Sequence, residues 1–170
     1  DDGTTEAAAK VFAEYCDDYD GFMTVVSETK GTAASRNAGA LKAKGDFLLF
    51  LDGGDYIAPE TVERFRTTQE ATKADLLCNR YYFSGEGEPG YDSWSEQICV
   101  VPSVDRLDRA LINTCDLDGK LFSRRFFDLY SLRFPEQNVA YNAWFTMKCA
   151  LSGAKIAGCA GAIYEKKSNP

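Results

Sequence analysis

Two aspartates follow an unusually apolar stretch in the first third of the chain. In "GDFLLFLDGGDYI", residues 45–57, five apolar residues run directly into Asp52, two glycines and Asp55. A short apolar run bounded by glycines is typical of a strand that is buried on both faces of a parallel sheet. Carboxylates at the end of such a strand need either water or a cation. The pattern therefore marks the end of this strand as a candidate site.

The missing histidine narrows the chemistry that the chain can perform. Without histidine, a Ser-His-Asp triad or a histidine base is excluded, which leaves carboxylates, Lys, Tyr, Cys or a metal ion. The six cysteines include no C-x-x-C pair, so a zinc site is not expected. Most of them lie beside apolar residues, as buried free thiols do, and they indicate a reducing, cytoplasmic setting.

The charge balance excludes two classes of partner. Lys and Arg number 19 and Asp and Glu 26, which gives a net charge of −7. Nucleic acids and anionic membrane surfaces both require a basic face, so neither is an expected partner. The apolar runs are too short to cross a bilayer, so no transmembrane segment is predicted.

Helical and strand patterns alternate along the chain, which predicts an α/β fold with parallel strands. We expect one domain of 170 residues. Strands are predicted at 47–51 and 74–83, and one or two short strands within 156–164. Helices are predicted at 33–44, from Pro59 onward and at 141–151, and residues 121–130 are a candidate helix or a turn followed by a helix.

The sequence resembles a family 2 glycosyltransferase of the GT-A fold along nearly its whole length. The segments that carry the resemblance are "DDGTTE" at the start, "GTAASRNAGALKAKGDFLLFLDGGDYIAPETVERF" at 31–65, "DGKLFSRRFF" at 118–127 and "LRFPEQNVAYNAWFTMKCALSGAKIA" at 132–157. The resemblance implies a Rossmann-like fold with a mostly parallel central sheet flanked by helices. It also implies a nucleotide-binding half at about 1–75 and an acceptor-side half at about 76–170. It also implies transfer of a sugar from a nucleotide-diphosphate donor to an acceptor hydroxyl, with inversion.

The resemblance assigns a role to the aspartates after the apolar strand. Asp52 and Asp55 would hold Mn²⁺ or Mg²⁺, which prefers oxygen ligands and would offset the charge of the diphosphate. The family motif commonly carries a carboxylate at the position of Gly54. Metal binding is therefore weakened unless Asp55 turns inward to replace it.

Further residues match family positions that contact the donor. Asp1 and Asp2 match an acidic pair that contacts the nucleoside, and a frayed acidic terminus is the alternative. Arg36 and Asn37 match an R-N pair on a helix behind the nucleotide site, where a solvated arginine is the other interpretation. Lys166 stands where basic residues often approach the diphosphate, although a charged tail explains it as well.

The acceptor side departs from the family pattern. Asn142 stands where the family has the aspartate base, and an amide cannot accept the acceptor proton. Glu136 is the nearest carboxylate in sequence and a substitute base if its loop delivers it. Tyr91 and Trp94, which lie among turn residues, are candidates for stacking on an acceptor sugar. Aromatic cover for the sheet is the alternative.

Two functions remain open at the level of sequence. The first is a metal-assisted glycosyltransferase that acts on a glycan or lipid-linked acceptor in bacterial-type glycan synthesis. The second is a catalytically impaired relative that serves as a nucleotide-sugar-binding or interaction module of a larger protein. The family's usual first strand-helix-strand unit is not in this sequence, so we expect upstream residues, additional domains or a homo-oligomer to complete the sheet. Any membrane contact would be peripheral, through other segments.

Overall fold

The computed structural model describes residues 10, 13–15, 23, 25, 27–83, 117–136 and 140–166. For residues 79–83, 150 and 160–166 the backbone alone is described. The helices are α1 (Thr32–Lys42), α2 (Thr61–Thr72), α3 (Arg124–Leu129) and α4 (Tyr141–Leu151). The strands are β1 (Phe47–Leu49), β2 (Tyr56–Ile57), β3 (Leu76–Phe83), β4 (Lys120–Ser123) and β5 (Ile156–Lys166). Lys10 and residues 13–15 are also helical.

The five strands form one mixed sheet in the order β1-β4-β3-β5-β2. Strand β4 pairs antiparallel with both β1 and β3, whereas β3 and β5 pair parallel and β2 joins β5 antiparallel. Consequently β1, β3 and β5 point one way, and β2 and β4 point the other. The α/β class is confirmed.

The expectation of a mostly parallel sheet is wrong for the described strands, because three of their four pairings are antiparallel. The reason lies in residues 121–130, for which we expected a helix, or a turn followed by a helix, rather than a strand. Their first three residues belong to β4, and α3 begins only at Arg124. The Ser123 hydroxyl accepts a hydrogen bond from the Phe126 N–H and caps the helix. The apolar pair Leu121 and Phe122 thus belongs to strand β4, which lies between the parallel strands β1 and β3.

The chain forms two compact units. One contains residues 1–44 and 133–141, and the other contains residues 45–132 and 142–170. The boundary expected near residue 75 concerns donor and acceptor binding, and it stays a prediction.

The larger unit has a core on each face of its sheet. A cluster of Phe65, Ala74, Leu77, Ala157 and Cys159 packs α2 against β3 and β5. An aromatic cluster joins β4 to α3 and α4, with ring centroids 5.3 Å apart for Phe122 and Phe145 and 5.7 Å apart for Phe127 and Phe145. These two cores fix the edge of the sheet where β1 ends and β4 begins.

No helix among the described residues has both the length and the apolar character needed to cross a membrane.

Candidate functional site

A tight turn brings Asp52 and Asp55 back toward each other after β1. The Asp55 N–H donates to the Asp52 carbonyl oxygen at 3.1 Å, which closes a four-residue turn. Gly54, the third residue of this turn, has a φ of 95°. That positive φ is the conformation that favours glycine at the third position of a type II turn. The glycine that replaces the expected carboxylate is therefore the residue that allows Asp55 to turn inward.

A third aspartate reaches the same place from the start of β4. Because β1 and β4 are antiparallel, with Leu49 opposite Leu121, residues that follow β1 lie at the same sheet edge as residues that precede β4. A turn in which the Lys120 N–H donates to the Leu117 carbonyl at 3.1 Å places Asp118 at this edge. Asp118 is 4% exposed.

The carboxylates of Asp52, Asp55 and Asp118 form one acidic cluster. Each offers an oxygen, and the three oxygens lie within 4.8 Å of one another. Asp52 is exposed, Asp55 is half-buried and Asp118 is buried, so the cluster runs from solvent into the protein. Two unit charges of like sign at such a separation repel by roughly 0.9 kcal/mol in water, and by about 3.5 kcal/mol at an effective dielectric of 20. The arrangement therefore favours a cation among these oxygens.

Sequence reasoning missed Asp118. The quoted segment "DGKLFSRRFF" contains it, but the expected helix over 121–130 hid the strand that begins at Lys120. Only the antiparallel pairing of β4 with β1 brings Asp118 to Asp52, and that pairing joins segments about 70 residues apart. The available signal was an Asp-Gly turn directly before a short apolar strand.

Behind the acidic cluster, Lys120 is buried in the sheet at 2% exposure. It lies opposite Cys78 on β3. Burial raises the pKa of the Cys78 thiol, and the Lys120 ammonium opposes part of that rise. The thiol thus stays protonated and does not act as a metal-binding thiolate.

In the smaller unit, Asn37 is anchored to a distant loop. Its side-chain oxygen accepts from the Phe134 N–H at 2.8 Å, and its Nδ2 donates to the Phe134 carbonyl at 2.9 Å. The same Nδ2 donates to Oε1 of Glu136 at 3.2 Å. Asn37 was predicted to contact the donor. The structure shows its amide bonded to this loop, and donor contact stays a prediction.

Arg36, the neighbour of Asn37, lies against two aromatic rings. Its guanidinium carbon is 5.9 Å from the Phe134 ring centroid and 5.6 Å from that of Tyr141. Such cation–π contacts hold the planar guanidinium in one orientation. Tyr141, the first residue of α4, therefore supports Arg36.

The remaining predicted residues are placed as follows. Asn142 is half-buried on the first turn of α4. Lys166 ends β5, with its backbone opposite Phe83. The predicted donor residues Asp1 and Asp2 and the predicted acceptor residues Tyr91 and Trp94 lie outside the described residues.

Comparison with known proteins gives a family match and relatives with assigned activities. The sequence model described as Glycosyl transferase family 2 matches residues 1–132. A poly(ribitol-phosphate) beta-glucosyltransferase of Bacillus spizizenii is 26% identical over 160 residues, which cover 92% of this chain and 24% of that protein. The chain spans about a quarter of the length of the curated relatives that it matches along most of its own length.

Solved structures share the same architecture. S. aureus TarS 1-349, in complex with UDP-GlcNAc, matches with a TM-score of 0.85 at 24% identity, over 100% of this chain and 48% of that one. The mannosyltransferase PcManGT from Pyrobaculum calidifontis, in complex with GDP-Man and Mn²⁺, matches with a TM-score of 0.61 at 14% identity, over 98% of this chain and 46% of that one.

Proposed function

Since this chain belongs to glycosyl transferase family 2 and has the GT-A fold, we propose that it transfers a sugar from a nucleotide-diphosphate donor to an acceptor hydroxyl, with inversion. The observation that carries the proposal is the acidic cluster of Asp52, Asp55 and Asp118 beyond the carboxyl end of β1. Ligands of open α/β sheets bind at that end of the strands. A diphosphate needs positive charge there, which carboxylates supply only through a bound cation.

The donor set fits Mn²⁺ or Mg²⁺. Both ions take oxygen ligands at about 2.1 Å, so two oxygens on opposite sides of such an ion lie about 4.2 Å apart. The three cluster oxygens lie within 4.8 Å of one another, which is close to that upper separation, whereas neighbouring ligands of an octahedral ion lie about 3.0 Å apart. Asp52, Asp55 and Asp118 would hold the ion. When bound, it would neutralise charge on the diphosphate leaving group.

We infer a uridine-diphosphate sugar as the donor class, since TarS was solved with UDP-GlcNAc. Asp1, Asp2, Arg36 and Lys166 are the residues proposed to contact the donor. The acceptor would be a glycan or lipid-linked hydroxyl. The proposed acceptor class also includes the hydroxyl groups of poly(ribitol phosphate), because the relative from B. spizizenii is a poly(ribitol-phosphate) beta-glucosyltransferase.

A second candidate function is a nucleotide-sugar-binding domain without catalysis. It is favoured by Asn142, because an amide at the base position of the family cannot take a proton. General-base assistance contributes about 10²–10⁴-fold to a rate. The two functions agree on binding and differ on turnover.

Calorimetric titration of UDP into the protein, with and without Mn²⁺, tests the binding that both functions share. We expect Mn²⁺ to strengthen UDP binding, and Asp118→Asn to weaken the Mn²⁺-dependent part by tenfold or more, which is about 1.4 kcal/mol. Asp128→Asn is the matched control, since Asp128 is exposed on α3 and lies outside the acidic cluster. UDP binding that is changed neither by Mn²⁺ nor by Asp118→Asn would contradict the proposed site.

Turnover separates the enzyme from the binding module. We expect the protein to release UDP from UDP-GlcNAc or UDP-glucose in the presence of Mn²⁺. Metal-dependent UDP binding without any UDP release, from either donor and with poly(ribitol phosphate) present, would favour the binding module.

A further inference from the structure

Lys120 is a buried charged residue of the larger unit to which the proposed transfer assigns no role. It begins β4 and is 2% exposed. Its strand partner is Cys78, and it shares a face of β4 with Phe122, two residues later. The Phe122 ring packs against the rings of Phe50 and Phe145, with centroids 5.9 and 5.3 Å apart. Lys120 thus lies on an apolar face of the sheet, where an ammonium without nearby negative charge would be costly.

The acidic cluster lies at the same end of the sheet as Lys120. Asp118 precedes Lys120 by two residues and is 4% exposed. The turn that carries Asp118 is closed by the Lys120 N–H, which donates to the Leu117 carbonyl oxygen at 3.1 Å. Continuing the register of β1 and β4 by one residue places Phe50 opposite Lys120, so that Asp52 is the diagonal neighbour. Diagonal neighbours on antiparallel strands lie about 7–8 Å apart, within reach of a long side chain.

Four other carboxylates of the larger unit lie at the opposite end or on the opposite face of the sheet. Asp46 and Asp75 precede β1 and β3, at the end away from Lys120. Glu63 and Glu70 form exposed ion pairs on α2, which packs on the other face of the sheet. The acidic cluster therefore supplies the negative charge at the end of the sheet where Lys120 is buried.

We propose that Lys120 is a specificity-determining residue of the metal site, because its charge makes the site select a divalent cation over a trivalent one. This inference rests on the proposed donor site. The three ionised carboxylates of the cluster carry three negative charges, of which the Lys120 ammonium balances one. Mn²⁺ or Mg²⁺ balances the remaining two, whereas a trivalent ion exceeds them. Because Lys120 is buried, it acts through its electrostatic field and not by contact with the donor.

The effect of Lys120 grows with the charge of the bound ion. For a separation of about 7 Å and an effective dielectric of 20, its charge changes the affinity by roughly 50-fold for each unit of ion charge. It therefore weakens the binding of a trivalent ion more than that of a divalent ion. The same charge attracts the diphosphate. Removing it should strengthen cation binding and weaken UDP binding to the metal-loaded protein, which are changes of opposite sign.

Terbium luminescence of the full chain measures this selectivity. Tb³⁺ is a trivalent ion that prefers oxygen ligands, and Tyr56, which directly follows Asp55, should sensitise its emission. Mn²⁺ displaces Tb³⁺ and lowers the emission, so the same titration gives both affinities. Lys120→Met should raise the Tb³⁺ affinity at least tenfold more than the Mn²⁺ affinity. Calorimetry on this variant, saturated with Mn²⁺, should show UDP binding that is at least tenfold weaker than in the parent protein.

Three further variants control for changes other than charge. Lys155→Met is the matched control, since Lys155 is a half-buried lysine that precedes β5 at the opposite end of the sheet. It should leave the ratio of the Tb³⁺ affinity to the Mn²⁺ affinity unchanged. Lys120→Arg keeps the charge and should also keep that ratio. Lys120→Gln removes the charge with a polar side chain and should raise the ratio as Lys120→Met does.

The outcomes distinguish this inference from the function on which it rests. If Asp118→Asn changes the binding of neither ion, the proposed donor site fails and the inference fails with it. If Asp118→Asn weakens both ions but Lys120→Met and Lys120→Gln keep the parent ratio, the inference alone is overturned. Mn²⁺ and UDP affinities that fall together, as a general loss of structure predicts, also overturn it. So does failure of both neutral variants to fold with Tb³⁺ present, because a trivalent ion supplies the missing charge.

Discussion

Replacing Asn37 by alanine should destabilise the protein markedly, although Asn37 lies on the surface helix α1. The change removes the partners of the Phe134 N–H and carbonyl, which are bonded at 2.8 and 2.9 Å. Because Phe134 is 2% exposed, water cannot replace them. Each buried polar group without a partner costs about 1–3 kcal/mol, so the expected loss is about 2–6 kcal/mol. The exposed Glu136 carboxylate can bind water instead of the Asn37 amide, so its lost hydrogen bond adds little to this loss of stability.

Unfolding in urea, followed by circular dichroism, measures this loss directly. In thermal unfolding, a loss at the lower bound of about 2 kcal/mol should lower the melting temperature by roughly 4–8 °C for a chain of this size. Ser35→Ala is the matched control on the same helix, because the buried Ser35 hydroxyl has no hydrogen-bond partner among the described residues. We expect that control to be neutral or slightly stabilising. An Asn37→Ala protein as stable as the Ser35→Ala protein would refute the anchoring role of Asn37.

Three further predictions concern the larger unit. Gly54→Ala should cost about 1–2 kcal/mol because Gly54 has a φ of 95°. Gly53→Ala should be nearly neutral in thermal melts, since a Cβ at that position meets no atom of the described residues within 4 Å. Thr146→Val should raise the free energy of unfolding by about 1 kcal/mol, because it removes a buried hydroxyl without a hydrogen-bond partner in the part of the chain that the structure describes. Burial raises the pKa of the Cys149 thiol from 9.0 to about 12, so the folded state holds its proton more tightly than the unfolded state. Stability should therefore fall as the pH rises from about 9 to 12, and Cys149→Ala should make that fall shallower in denaturation curves.

Local patterns in the sequence predicted the elements that depend mainly on their own residues. The apolar run before Asp52 indicated a strand, which the structure has as β1, although it ends at Leu49 and Leu51 is 48% exposed. Helix α4 has the predicted bounds, 141–151, because its buried positions recur at helical spacing. The sequence indicated that Asp55 must turn inward for metal binding. The turn at Gly54 brings Asp55 close to Asp52.

Features that depend on distant partners could not be predicted in this way. Strand β4 has four residues, and its two strand neighbours begin at Phe47 and Leu76. Nothing local distinguishes "LF" in a strand from "LF" in a helix, so the place of Asp118 was hidden. The partner of Asn37, Phe134, lies 97 residues away along the chain. A polar residue on a helix looks the same in sequence whether it binds a ligand or a loop.

The most direct test of the central claim is a crystal structure of the protein with Mn²⁺ and UDP, with diffraction data collected at the manganese absorption edge. We predict an anomalous peak about 2.1 Å from carboxylate oxygens of Asp52, Asp55 and Asp118, with the diphosphate completing its coordination. A manganese peak at other residues, or UDP bound away from these three aspartates, would contradict the proposed donor site.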